Sequence, residues 1–478
     1  MKKIYLYNRW LWSSVFTILV YFTMPVRARY ALGLSDASIF EYFGYAMSNG
    51  EVLYRDLFDH KGPIIFLINY FGYILNGEFG IKIVYLICIF IFFYTSILIA
   101  RLFTNERNSI IVLVVIFVLF ENFFELGWGI EGYVLPVINY SLYIYIKYFL
   151  VKRVSRLEIL LVGASLALVF FTRANMIGIW LIFSLYVLVD KISKKQYKEL
   201  ATFTMYFILG IFVVIIPLGI YLSIKGVLSE MIYQSFTMNF IYAKNQGLGK
   251  RKILEWFIET ANGLNISLIF FGGVVIAYRK YGRRILFFAI AIGLCLVFAL
   301  LSKRPYLHYL LVLIPLVIPI LSIILESSIF KVNIVYILLG VYIIYYTPIQ
   351  NILTNIENRN YNYFNDEVKI AQYVKNNTAN TDRIYSHRMQ GLIYLEAERL
   401  ANSKFFFIPS LEDETPIIDD VRSSFEERAP KYIIFDERYD YKKATDYYIK
   451  AFIEKNYKEE YSIKTGSMSN TGHEKITL

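Results

Sequence analysis

The amino-acid sequence predicts an α-helical polytopic membrane protein with about eleven transmembrane helices, two short surface helices in its first outer loop and a C-terminal soluble α/β domain. Three observations predict it. Hydrophobic residues fill 57% of the 478 positions, far beyond what one soluble core requires. Apolar runs able to cross roughly 30 Å of hydrocarbon, about 17–25 residues each, recur through the first three quarters of the chain. Beyond about residue 355 the Ile and Leu runs give way to Asn, Asp, Glu, Lys and Tyr.

The spans are expected at about 10–28, 81–100, 109–125, 132–150, 157–173, 175–190, 201–224, 265–278, 285–302, 307–325 and 331–350. Lys and Arg near span ends stay cytoplasmic. The segments "MKKIYLYNR", "KYFLVKRVSR", "DKISKKQYKE" and "YRKYGRR" share one face if the N-terminus is cytoplasmic. An odd span count then places the C-terminus outside. The first apolar run lacks a small-residue cleavage site and reads as a signal anchor. The expected domains are 1–354, transmembrane, and 355–478, exocytoplasmic.

In the second domain, "NDEVKIAQYVKNN", "DDVRSSFEERA" and "ATDYYIKAFIEKNY" carry helical periodicity, while "RIYSH" and "KYIIFD" read as strands. Residues 355–478 hold 18 Lys and Arg against 21 Asp and Glu, and residues 1–354 hold 31 against 17. The basic excess therefore belongs to the membrane part. Anionic lipid on the cytoplasmic face explains much of it, which leaves nucleic acid unneeded as a partner. Cys88 and Cys295 lie in expected spans, so the outward domain has no disulfide, and the chain has no CxxC metal motif.

The expected outer face gathers the unusual residues. Residues 35–70, "SDASIFEYFGYAMSNGEVLYRDLFDHKGPIIFLINY", hold five carboxylates, a His and a Lys among their aromatic rings. Ser35 is a good N-cap for a helix over about 37–48, ended by "NG" at 49–50, and Asp36 suits its first turn. In "DHKGP" the proline opens a second helix that runs to "NG" at 76–77. An amphipathic pair lying on the outer membrane surface is expected. Arg27 and Arg29 follow span one, "TRAN" places Arg173 and Asn175 between spans five and six, and "KRPYLHY" places Lys303, Arg304, His308 and Tyr309 after span nine. Each cation taken singly fits a side chain snorkelling to lipid phosphate. Their convergence on one face, against the usual inward bias, asks for a further reason.

The acidic residue just after span one, "GEVLYRDLFDHKGP", "TRAN" and "RPYLHY" together resemble the GT-C superfamily of membrane glycosyltransferases. The likeness covers most of residues 1–325. It is nearest to the bacterial branch related to protein O-mannosyltransferases and the lipid A aminoarabinose transferase. Where those relatives often carry an Asp-Glu pair, this chain has "SDAS". The resemblance implies an inverting glycosyltransferase that moves a sugar from a polyprenyl-phosphate donor to an acceptor hydroxyl at the outer face of the bacterial cytoplasmic membrane.

That chemistry assigns roles to the residues. The attacking hydroxyl loses a proton, so one outward carboxylate acts as base; Asp36 is the candidate, with Glu131 of "GIEGY" orienting the acceptor or sharing the role. The leaving phosphate gains negative charge and needs fixed cations. Lys61 fits that position best, with His60, Arg173, Lys303, Arg304 and His308 in support. Asp59, Tyr42, Tyr54, Asn175 and Tyr309 are candidates to line the substrate. Interfacial rings, Phe43 and Phe58 among them, are more often membrane anchors.

No cofactor is implied, and a divalent metal is left open. A flippase or transporter for a lipid-linked sugar would need the same phosphate cations, but with charges and interrupted helices at mid-bilayer. An O-antigen-type polymerase or ligase would rely on a large outer loop rich in Arg and His; loop 225–264 is long enough but has no His. Glycan, lipid or protein remain open as acceptor, with cell-envelope polysaccharide favoured.

Overall fold

The computed structural model describes residues 2–477 apart from 31–34, 125–127, 246–248, 265, 283, 302, 327–331, 363, 410, 411, 413–415, 437–441 and 466–473. The chain forms two compact units. The first comprises Met1–Met24, Val84–Ser223 and Tyr242–Glu357; the second comprises Pro25–Ile83, Ile224–Ile241 and Asn358–Leu478. Packing thus groups residues 25–83 with the tail, although composition alone sets the boundary near residue 354.

The first unit is a set of helices. Among the described residues, four helices are long and apolar enough to cross a membrane: Pro63–Ala100, whose first part lies in the second unit, Ile130–Val151, Tyr197–Ile224 and Leu307–Glu326. Helices also cover other expected spans, including Lys2–Thr23, Glu106–Phe123, Arg156–Phe170, Gly178–Ser193, Ile266–Tyr281, Arg284–Ala299 and Val332–Tyr346. Such segments are helical because hydrocarbon offers no partner for a backbone N–H or C=O. Their ends are written in the sequence. The Asn105 side chain accepts from the Asn108 amide, and Ser155 with Glu158 forms a reciprocal capping box. Two helices cross closely where side chains vanish: a Cβ on Gly163 would lie 2.0 Å from the Phe207 carbonyl oxygen, and one on Gly210 would lie 1.9 Å from that of Leu160.

In the second unit, the helix Ser35–Ser48 ends just before Gly50, whose φ of +98° suits only a residue without a Cβ. Pro63 opens the next helix, and its backbone leaves helical geometry at Asn76 and Gly77 before continuing to Ala100. Both expected "NG" stops therefore mark real breaks. The first of these helices does not lie open on its apolar face. Phe40, Tyr42 and Phe43 are buried; Tyr42 packs 4.3 Å from Phe406, and its oxygen accepts the Ala401 amide at 2.7 Å.

Among the described residues, the tail contains five strands: β1 (Arg383–His387), β2 (Leu400–Ala401), β3 (Tyr432–Asp436), β4 (Ser462–Thr465) and β5 (Glu474–Thr477). Their order is β2-β1-β3-β5-β4, with β1 parallel to β2 and β3, and β5 antiparallel to β3 and β4. Helices Asn365–Asn376, Ile417–Glu427 and Ala444–Asn456 fall where the periodicity places them. At the end of β1, His387 Nε2 lies 2.7 Å from Asp446 Oδ1, which also accepts from Arg388 Nε at 2.6 Å.

Burial pushes the His387 imidazole below its usual value, outweighing the hydrogen bond and charge of Asp446. Burial pushes Asp446 up, but hydrogen bonds from His387 and Arg388 overcome it and hold the carboxyl well below its usual range. A lowered imidazole contributes stability that is present above the unfolded value of about 6.5 and is lost progressively as pH falls below it toward the lowered folded value; Asp446 adds a further loss below about 4. Limited proteolysis of the tail should therefore accelerate between about pH 7 and about pH 5. A flat cleavage rate across that window would contradict a buried, neutral His387.

Candidate functional site

In the second unit the segment "DHKGP" forms a loop between the two helices. Asp59 is fully buried. Its Oδ1 accepts the Lys61 amide at 3.0 Å, and its Oδ2 lies 3.4 Å from Lys61 Nζ. Lys61 Nζ also lies 3.9 Å from Asp36 Oδ2, beyond hydrogen-bond reach, and 5.2 Å from the centre of the Phe40 ring. His60 Nδ1 is 3.5 Å from Asp59 Oδ1. The ammonium thus stands between an exposed carboxylate on the first turn of one helix and a buried carboxylate of its own loop. This arrangement fixes a cation with a base-bearing group beside it.

The loop's backbone is held from two directions. Tyr54 is buried and adopts a φ of +69°, which costs a bulky side chain on the order of 1–3 kcal/mol. Its hydroxyl donates to the Lys61 carbonyl at 2.9 Å. Gln234, Ser235 and Asn239 reach the same loop from loop 225–264. Sequence reading missed these three. The one available signal was the i, i+4 spacing of Ser235 and Asn239 in an otherwise apolar stretch.

Of the other residues expected in this unit, Tyr42 belongs to the packing described above. Arg29 bonds Glu41 at 2.9 Å and Glu78 at 3.2 Å, and lies 3.0 Å from Glu396. Burial pushes the Glu41 carboxyl up to about 8 even with Arg29 beside it.

The first unit gathers a separate group. Gly129 precedes the helix Ile130–Val151, and Glu131 in its first turn is buried. A Cβ on Gly132 would meet the Tyr85 hydroxyl at 2.2 Å, so a residue without a side chain lets Tyr85 pack against this turn. Arg173 Nη1 donates to Glu131 Oε1 at 2.6 Å, and its guanidinium covers the Tyr309 ring at 4.1 Å. Tyr309 is set there by the 3₁₀ turn Leu307–Leu313, where His308 stacks on Tyr306. "TRAN" and "RPYLHY" are thereby joined through Arg173 and Tyr309. Asn175 lies half-buried in the turn Ala174–Met176; Lys303, with φ +55°, and Arg304 lie half-buried just before Tyr306. Among the described residues, no group of three or more His, Cys, Asp or Glu side chains is placed to hold a metal ion.

The likeness to solved structures is extensive. ArnT from Cupriavidus metallidurans bound to undecaprenyl phosphate superposes with a TM-score of 0.68 at 12% identity, covering 98% of this chain and 97% of that one. ArnT from the same organism in the apo state gives 0.65 at 11% identity, with the same coverage. The chain has their fold, the GT-C fold that its outer-loop segments resemble. No curated protein matches it in sequence. Residues 2–334 match the family model described as "Putative competence-induced protein Ccs4 N-terminal domain". With well over half of its length matched, the chain belongs to the Ccs4 N-terminal domain family.

Proposed function

We propose that this protein is an inverting glycosyltransferase of the cytoplasmic membrane. Its donor is a sugar carried on a polyprenyl phosphate, and its acceptor is a hydroxyl on the outer face, in cell-envelope polysaccharide modification. The observation that carries this reading is Lys61, held by Asp59 and set 3.9 Å from Asp36, in a chain with the fold of a protein that binds undecaprenyl phosphate. The acceptor oxygen attacks the anomeric carbon and its proton passes to Asp36. The bond from that carbon to the phosphate oxygen breaks, and polyprenyl phosphate leaves with its new charge opposite Lys61. In this reading the N-terminus is cytoplasmic and the tail lies outside, supported by the basic segments that then share the cytoplasmic face.

Titration of the purified protein with an undecaprenyl-phosphate sugar tests this. Lys61→Ala should weaken donor binding roughly 10–100-fold, the value of a hydrogen bond to a charged group. Turnover should fall with it, because the charge on that oxygen rises toward the transition state. Lys61→Arg should rescue only in part, since a planar fork does not fill the place of a compact ammonium. Unchanged affinity and turnover in Lys61→Ala would remove the phosphate clamp and with it this reading.

A further inference from the structure

One turn of chain far from Lys61 in sequence takes up three backbone groups of the loop that carries it, the Asp59 amide and the His60 and Lys61 carbonyls. Gln234 and Ser235 are both buried, in a π-helical turn over Tyr233–Thr237 between the helices Leu228–Ile232 and Met238–Asn245. Gln234 Nε2 donates to the Tyr54 carbonyl at 2.7 Å, and its Oε1 accepts from the Asp59 amide at 3.4 Å. Ser235 Oγ lies 3.0 Å from both the Tyr54 hydroxyl and the Lys61 carbonyl. Asn239 Nδ2 donates to the His60 carbonyl at 2.5 Å and to the Ser235 carbonyl at 2.7 Å.

A regular α-helix would bring 235 and 239 to one face and turn 234 about 100° away. The widened turn lets Gln234 serve the same loop, and such turns are frequent at functional sites. The strained Tyr54 backbone is what Gln234 holds, and the Tyr54 hydroxyl is what Ser235 extends. Loops that need only to be stable seldom keep a bulky residue at positive φ under a dedicated clamp.

We infer that Gln234 and Ser235 are positioning residues that set the Asp59-His60-Lys61 loop for a lipid phosphate, so that segment 233–239 tunes donor affinity through Lys61. The inference rests on the phosphate-clamp reading of Lys61. Two consequences separate positioning from plain structural support. Removing the Ser235 hydroxyl should cost donor affinity only while Lys61 is present, and restoring a hydroxyl should restore affinity.

Undecaprenyl phosphate alone is the probe, titrated against the full-length protein in lipid nanodiscs. Ser235→Ala should weaken its affinity on the order of tenfold, Ser235→Thr should recover most of it, and adding Ser235→Ala to Lys61→Ala should cost little more. Gln234→Glu keeps the acceptor for the Asp59 amide and removes the donor to Tyr54, and serves if Ser235→Ala fails to accumulate. If Lys61→Ala binds as tightly as the wild type, the phosphate-clamp reading itself has failed. If Lys61→Ala loses affinity while folded Ser235→Ala and Gln234→Glu keep it, the positioning role is overturned and the clamp stands. An equal loss from Ser235→Ala with and without Lys61 also overturns it, by showing a general structural effect.

Discussion

Asp36→Asn should lower sugar transfer by at least about 10²-fold, the lower end of the contribution of a general base. The substitution keeps the size of the side chain and its place in the first turn of Ser35–Ser48. The lost interaction with the helix N-terminus costs only about 0.3–1 kcal/mol, so the protein should fold as before. What disappears is the negative charge that takes the proton. Asp36 is preferred over the other candidate carboxylates on exposure: its side chain is 64% accessible, whereas Asp59 is fully buried beneath Lys61 and Glu131 is buried under Arg173. A group that must meet an incoming hydroxyl cannot be sealed away. The substitution does not touch Asp59, which lies 3.4 Å from Lys61, so binding of the donor phosphate should survive while turnover collapses. Measured kcat and donor Kd on the same preparation decide it. Near-normal turnover in a folded variant would remove Asp36 as the base.

Arg173→Ala should produce the largest loss of stability. Glu131 is buried and its Oε1 takes a hydrogen bond of 2.6 Å from Arg173. Removing one partner of a buried pair strands the other charge, at a cost of about 3–5 kcal/mol. The ring contact with Tyr309 at 4.1 Å is lost as well, which adds on the order of 1 kcal/mol. The double variant Arg173→Ala with Glu131→Gln should recover much of the loss, since no charge is then stranded. Arg173→Lys should recover less, because an ammonium neither matches the carboxylate as a planar fork nor stacks flat on the ring. Melting temperatures of the four proteins in one detergent check this order. A double variant no more stable than Arg173→Ala would mean that packing, and not the buried charge, sets the cost.

Local chemistry makes much of this protein legible in its sequence. Hydrocarbon leaves a backbone one local solution, so apolar length by itself marks helices such as Ile130–Val151 and Tyr197–Ile224. Turn chemistry is equally local: Pro63 opens a helix, and the breaks at Gly50 and Asn76-Gly77 follow from what asparagine and glycine allow. Runs rich in β-branched and aromatic residues mark β1 and β3 in the same way, whereas β2, of two residues, is too short to carry a pattern. The candidate charges stand out because cations at an expected outer face conflict with the usual bias.

Tertiary structure alone decided what those charges touch. Nothing near Tyr54 foretells that its carbonyl meets Gln234, 180 positions away, or that Tyr42 gives its oxygen to Ala401, 359 positions away. Nor does "TRAN" foretell that Arg173 lies between Glu131 and the Tyr309 ring. Such partners are chosen by how buried surfaces fit, a property of the whole packed chain. Propensity acts over a few residues and ends at the turn that terminates each helix. Burial of Asp59 beneath Lys61, and of Gln234 and Ser235 beside them, exists only once distant segments have closed over that loop and excluded water from it.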